Sequence, residues 1–277
     1  MYRTIKRIYL YRFQLFFWFL LVGFLLIQDG CTSRVEGCLD VAAANFDFSA
    51  DRSCEDCCTY PLLSISLSQK WNDRNFSTAD TVNTFKDKNG LAYKINDLKY
   101  FLSSWSWLDS DLHRYSVDSA EISCNGGFLS YTPDIILVDS RQFQYTLGTI
   151  RQSPLIDSVD LKLGLPVDLD CIDATSTDIP PVFSSSSPLW DKRSGTRASI
   201  RLVLQRDTSV QTLDTLYIHT LQDIGLRYDF GFSAGIPTTI KLTVDYAKWF
   251  SNADIFDLNS FQTSIESGVK NSYYKSN

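Results

Sequence analysis

Residues 62–69 (LLSISLSQ) and 238–246 (TTIKLTVDY) alternate apolar and polar side chains without a break. Successive side chains of an extended chain point to opposite faces. Leu63, Ile65 and Leu67 therefore oppose Ser64, Ser66 and Ser68, and Ile240, Leu242, Val244 and Tyr246 oppose Thr239, Lys241, Thr243 and Asp245. Each segment is a strand with one dry and one wet face, and the dry face must be covered by a second layer. The runs at 134–139 (DIILVD), 159–169 (VDLKLGLPVDL), 198–207 (ASIRLVLQRD), 214–221 (DTLYIHTL) and 226–233 (LRYDFGFS) add strands, with Pro166 marking an edge or bend. Residues 96–111 hold Phe101, Trp105 and Trp107 on no single helical stripe, and read as a strand followed by an irregular edge. The expected fold is an all-β sandwich with long loops. A short C-terminal helix carries Phe261, Ile265 and Val269 at four-residue spacing, capped by Asn259 or Ser260 and weakened by Gly268. The longest loop, 170–195, offers Val182, Phe183, Leu189 and Trp190, which either dock it or line a site.

Ahead of the strands, Arg3, Lys6, Arg7 and Arg12 precede an uncharged apolar run from Leu15 to Ile27. That order is the one of an export signal, and the run is shorter than the roughly 20 residues that span a bilayer. Cys31 after Gly30 fits lipoprotein processing, so residues 1–30 read as a signal peptide and Cys31 as a lipid anchor. Setting Cys31 aside leaves Cys38, Cys54, Cys57, Cys58, Cys124 and Cys171, an even set suited to disulfides in an oxidising compartment. The division expected is 31–61 as anchor region and cysteine-rich element and 62–277 as the sandwich. In the element, Cys38 is expected to bond one of Cys54, Cys57 or Cys58. Of the adjacent Cys57 and Cys58, one is expected to reach back to Cys38 or Cys54, and the other outward to Cys124 or Cys171.

The formal net charge is −6, and no Lys/Arg-rich tract follows the first residues. Nucleic acid is excluded as a partner, because affinity for phosphate backbones is carried by positive charge. GxSxG, HExxH, P-loop and GxGxxG motifs are all absent from the sequence, so a non-enzymatic protein is expected. The imidazoles are His113, in a charged run that reads as a solvated face, and His219, in a strand-like run, as a sheet residue or a metal ligand. Asp40, Asn45, Asp47 and Asp51 are hard oxygen donors of the calcium type, though their spacing is not that of an EF-hand loop. The C-x-x-C-C run of Cys54, Cys57 and Cys58 means disulfides in an exported chain and a metal site in a reducing one.

Residues 37–61, GCLDVAAANFDFSADRSCEDCCTYP, resemble a short N-terminal element of exported Bacteroidota proteins. The stretches LAYKINDLKYFLSSWSWLD, PLWDKRSGTRASIRLVLQRD, LYIHTL and IPTTIKLTVDYAKWF resemble the MbnP-like family, periplasmic or surface β-sandwich proteins named for a copper-binding member that partners a di-haem oxidase. The resemblance implies a periplasmic or outer-membrane location, an envelope partner of that kind, and copper at His219 with Trp190. The sequence departs from the family after both residues, where Asp191 to Gly195 and Thr220 to Gln222 replace the usual followers. The rival reading is a metal-free glycan- or peptide-binding module whose aromatics, Trp105, Trp107 and Trp190, stack on a ligand.

Overall fold

The computed structural model describes residues 34–54, 56–78, 84–151 and 155–276, together with Trp18. Cys31, and the rest of the segment read as a signal, lie outside them. The chain divides into two compact units, Met1–Leu39 with Asp47–Cys57, and Asp40–Phe46 with Cys58–Asn277.

In the first unit, Glu36–Gly37 pairs in parallel with Arg52–Ser53. The Asp47 amide donates to the Cys38 carbonyl (2.8 Å) and the Cys54 amide to that of Gly37 (3.1 Å). Backbone bonds and a Cys54–Cys57 disulfide hold it.

The second unit is all-β with one helix. Its strands of three or more residues are β1 (Leu62–Trp71), β2 (Ala92–Leu108), β3 (Ala120–Cys124), β4 (Gly127–Tyr131), β5 (Ile136–Asp139), β6 (Gln144–Thr149), β7 (Leu155–Leu163), β8 (Ile200–Gln205), β9 (Asp214–Ile218), β10 (Gln222–Gly231), β11 (Thr238–Asp245) and β12 (Tyr273–Lys275). One sheet runs β9-β8-β2-β7-β10 with β5 also on β2, and the other runs β6-β1-β11-β12. Within them only β1 and β11 pair in parallel, an arrangement that the long connection between them permits. Leu63, Ile65 and Leu67 of β1 and Ile240, Leu242 and Val244 of β11 share one core with Tyr93, Leu98, Tyr100 and Leu102 of β2 and Leu202 of β8. This is the two-layer packing that the alternating strands require.

Several expectations are corrected. In residues 96–111 the expected strand is present but runs on to Leu108, so the irregular part is confined to 109–111: β2 is a single 17-residue strand that pairs β8 over Lys94–Tyr100 and β7 over Leu102–Leu108. Trp105 and Trp107 are 1 % and 0 % exposed, so neither can stack on a ligand. The wet face of β11 closes at its end, where Thr243 bonds Ser276 (2.7 Å) and Asp245 accepts from the amides of Asn72 and Ala247. Gln69, next in the inward row of β1, is buried and polar. It accepts from the Tyr246 hydroxyl (2.7 Å), itself 3.0 Å from that of Tyr100, and donates to the carbonyls of Asp139 and Gln142. Pro166 marks a bend, as one of its two readings had it: β7 stops at Leu163, Gly164 takes φ 108°, and a 3₁₀ turn follows at Val167–Cys171.

The C-terminal helix, α1 (Leu258–Val269), buries Phe261, Ile265 and Val269 as their spacing demands. Its cap is Asp257 rather than Asn259 or Ser260, with the carboxylate accepting from both of those residues' amides. Gly268 has a packing role: a Cβ there would run into the Lys248 carbonyl, so only glycine lets α1 lie against that turn. Gly268→Ala is expected to lower stability by about 1–3 kcal/mol through overpacking, despite alanine's better helix propensity. Urea denaturation reads the sign, and a stabilised variant would show that the turn yields freely.

Candidate functional site

The 165–197 region has its own small core of Ile122, Leu169, Ile172 and Phe183. Phe183 and Leu189 are buried, so the long loop docks. Arg197 secures it: its guanidinium donates to the carbonyls of Phe183 (2.8 Å) and Ile172 (2.8 Å), which the 3₁₀ turns leave open, and also to that of Leu169 (3.4 Å). The two-residue strands Trp190–Asp191 and Thr196–Arg197 pair beside it, and the guanidinium stands 5.7 Å from the Trp190 ring centroid.

His219 lies just beyond β9, exposed rather than within the sheet. Its Nδ1 is 3.2 Å from the Arg197 carbonyl. Since a carbonyl only accepts, the bond places the proton on Nδ1 and leaves the Nε2 lone pair free, the arrangement seen in metal-binding imidazoles. Trp190 and His219 are thus tied to the same residue, Arg197. An indole N–H only donates, so an unmodified Trp190 supplies a wall and not a ligand. Asp191 is 9 % exposed. The Arg193 amide, then the Ser194 hydroxyl and the charge of Arg193, hold its carboxyl below the ordinary range, against a desolvation that raises it. Both Asp191 oxygens are engaged, one by the Arg193 amide (3.0 Å) and one by the Ser194 hydroxyl (3.0 Å), so the donor on offer here is the exposed imidazole, which suits copper(II), whereas enclosed copper(I) calls for softer donors. His113, exposed as expected, bonds Asp109 at 3.0 Å.

The other metal readings meet occupied donors. The sulfurs of Cys54, Cys57 and Cys58 lie within 4.8 Å of one another, a cluster able to hold a metal ion once reduced. All six described cysteines are disulfide-bonded, and an oxidised sulfur offers no thiolate. Cys57 reaches back to Cys54. The outward bridge is not made: Cys124 and Cys171 close on each other. Asp40 accepts from the Ala42 amide (2.9 Å) and the Tyr60 hydroxyl (2.8 Å), Asp47 from the Ser49 amide (2.8 Å), and Asn45 from the Thr59 amide (2.8 Å). These oxygens cap local turns or tie the chain to Thr59 and Tyr60, and among the described residues Asp40, Asp47 and Asp51 join no group of three metal-binding side chains.

A second site has no counterpart in the sequence reading. At Ser104 the backbone of β2 turns to φ 54°, and the register with β7 shifts between Asp160 and Lys162, a bulge inside a long strand. Asp134 fills it. Its Oδ2 accepts from the Trp105 amide (2.6 Å) and its Oδ1 from the Thr132 hydroxyl (3.0 Å). Burial raises this carboxyl to about 6 even so, because those hydrogen bonds only partly offset desolvation. Asp134 is 1 % exposed and lines a cavity of about 430 Å³. Strand β4 lines part of it through Leu129, Ser130 and Tyr131, and is joined to β3 by a two-residue turn at Asn125 (φ 48°) and Gly126 (φ 80°). The Cys124–Cys171 disulfide pins that hairpin to the 3₁₀ turn that supplies the facing wall.

No family model matches the chain, and no curated protein does either. Among solved structures it has a loose likeness to MbnP from Methylosinus trichosporium, with a TM-score of 0.45 at 10 % identity over 70 % of this chain and 78 % of that one. A likeness that distant assigns neither family nor function.

Proposed function

We propose that this is an exported, non-enzymatic protein, anchored to the outer membrane through Cys31 and resembling the MbnP-like proteins, that binds copper at an open surface site. The observation that supports it is the Nδ1 bond from His219 to the Arg197 carbonyl, which presents Nε2 to solvent. His219 is the primary donor and Trp190 the adjoining wall. Such a set favours copper(II) over copper(I), and an exposed position suits exchange with an envelope partner, a redox enzyme of the di-haem type in the family that it resembles. Oxidised cysteines agree with a location outside the cytoplasm.

Titration with copper(II) should show binding that weakens about ten-fold or more in His219→Ala. Equal affinity in that variant, or none in the wild type, would leave the metal-free ligand-binding reading in its place.

A further inference from the structure

We infer that the cavity beside Asp134 binds a small organic cation, an apolar body carrying one ammonium nitrogen. This is independent of the copper reading and concerns a different part of the second unit. The cavity's volume, about 430 Å³, is in the range of small-molecule sites. About half of its wall is apolar, supplied by Leu129, Tyr131, Ile135, Val167, Leu169 and Leu221, and the other half is polar. The charged groups lining it are Asp134, Asp168 and Lys162, and the Lys162 ammonium is 3.5 Å from Asp223, outside the cavity lining. The balance inside is therefore negative.

A buried carboxylate whose hydrogen bonds do not fully offset its desolvation repels anions and gains from a cation brought beside it. The site does not suit a metal ion: Ca²⁺ takes six to eight oxygens, half of this wall is hydrocarbon, and both Asp134 oxygens already accept hydrogen bonds. An ammonium on an apolar body matches both features, as the walls accept the body and Asp134 the charge. The bulge at Ser104 adds to the argument. A serine at φ 54° in mid-strand is strained, and here the strain brings the Trp105 amide onto Asp134 and fixes the carboxylate at the cavity wall.

The test uses the full chain in detergent, with phenethylammonium, its neutral analogue 2-phenylethanol and the anion phenylacetate as probes, followed by calorimetry or ligand-observed NMR. The ammonium should bind at pH 7.5 at least about ten-fold more tightly than the alcohol, with phenylacetate weakest. Its affinity should fall about ten-fold toward pH 5 as the proton competes for Asp134. Asp134→Asn should remove the preference for charge. Val167→Trp, at a residue 70 % exposed on the rim, should block the cavity without touching the bonds of Asp134. Equal binding of ammonium and alcohol, unchanged binding in Val167→Trp, or no binding of the ammonium at millimolar concentration would each overturn the inference. If Asp134→Asn fails to fold, the probe series and Val167→Trp still decide it. Copper titration of the same variants keeps the two sites apart, since His219→Ala should leave ammonium binding intact.

Discussion

Replacing Cys124 and Cys171 together by serine should cost about 4 kcal/mol of stability, the loss of loop-closure entropy expected for a bridge spanning nearly 50 residues, on a model in which the disulfide acts through the unfolded chain. The residues are 47 apart in sequence with Cα atoms 5.2 Å apart, so the bond closes a long loop at an ordinary separation. The bridge joins the β3–β4 hairpin to the Val167–Cys171 turn, whose small core consists of Ile122, Leu169, Ile172 and Phe183. A core that small gives the hairpin little else to hold it, so hydrogen exchange should rise first in 120–131 and 165–183. Denaturation of the double variant beside the wild type measures the loss. A difference below about 1 kcal/mol would mean that side-chain packing, with the Arg197 bonds to the turn carbonyls, suffices without the bridge.

The second large effect is a dependence on pH. Asp134 is raised to about 6 in the folded chain by burial, whereas an unfolded aspartate titrates near 3.9. Between those values the folded state holds a proton that the unfolded state has released. The contribution of Asp134 is thus fully present below about pH 4 and is lost as pH rises through about 6, by roughly 3 kcal/mol in all. Lys162, Asp168 and Tyr131 line the same cavity, but the dominant cause of the shift is desolvation. Asp134→Asn removes the titration, so the wild type should lose ground to it across that window. Unfolding curves at several pH values check this, and parallel profiles would mean that water reaches the carboxylate. An organic cation in the cavity should flatten the wild-type profile, because it stabilises the ionised form.

The sheets were legible because alternation survives in single segments. Leu63, Ile65, Leu67, Ile240, Leu242 and Val244 point inward as their spacing states. The C-terminal helix was legible for the same reason, although its cap was misplaced by two or three residues. The β3–β4 hairpin was missed, yet Asn125-Gly126 between two strand-like runs is a strong hairpin signal. Cysteine arithmetic gave an even, oxidised set, but not its connectivity, since the pairing depends on which Cα atoms the fold brings within reach.

By itself the sequence determined the fold class, the pattern of inward residues and the even set of cysteines, all of which follow from local spacing or composition. Tertiary structure alone decided the chemistry. Trp105 and Trp107 leave the list of ligand-binding aromatics because both faces of β2 are covered. His219 acquires a defined tautomer because a carbonyl 22 residues away lies beside it. Asp134, which in the sequence is an acidic residue at the start of a strand, becomes a buried carboxyl held above its ordinary range. Its pKa depends on how much water is excluded and which amides reach it, and neither quantity is encoded in neighbouring residues.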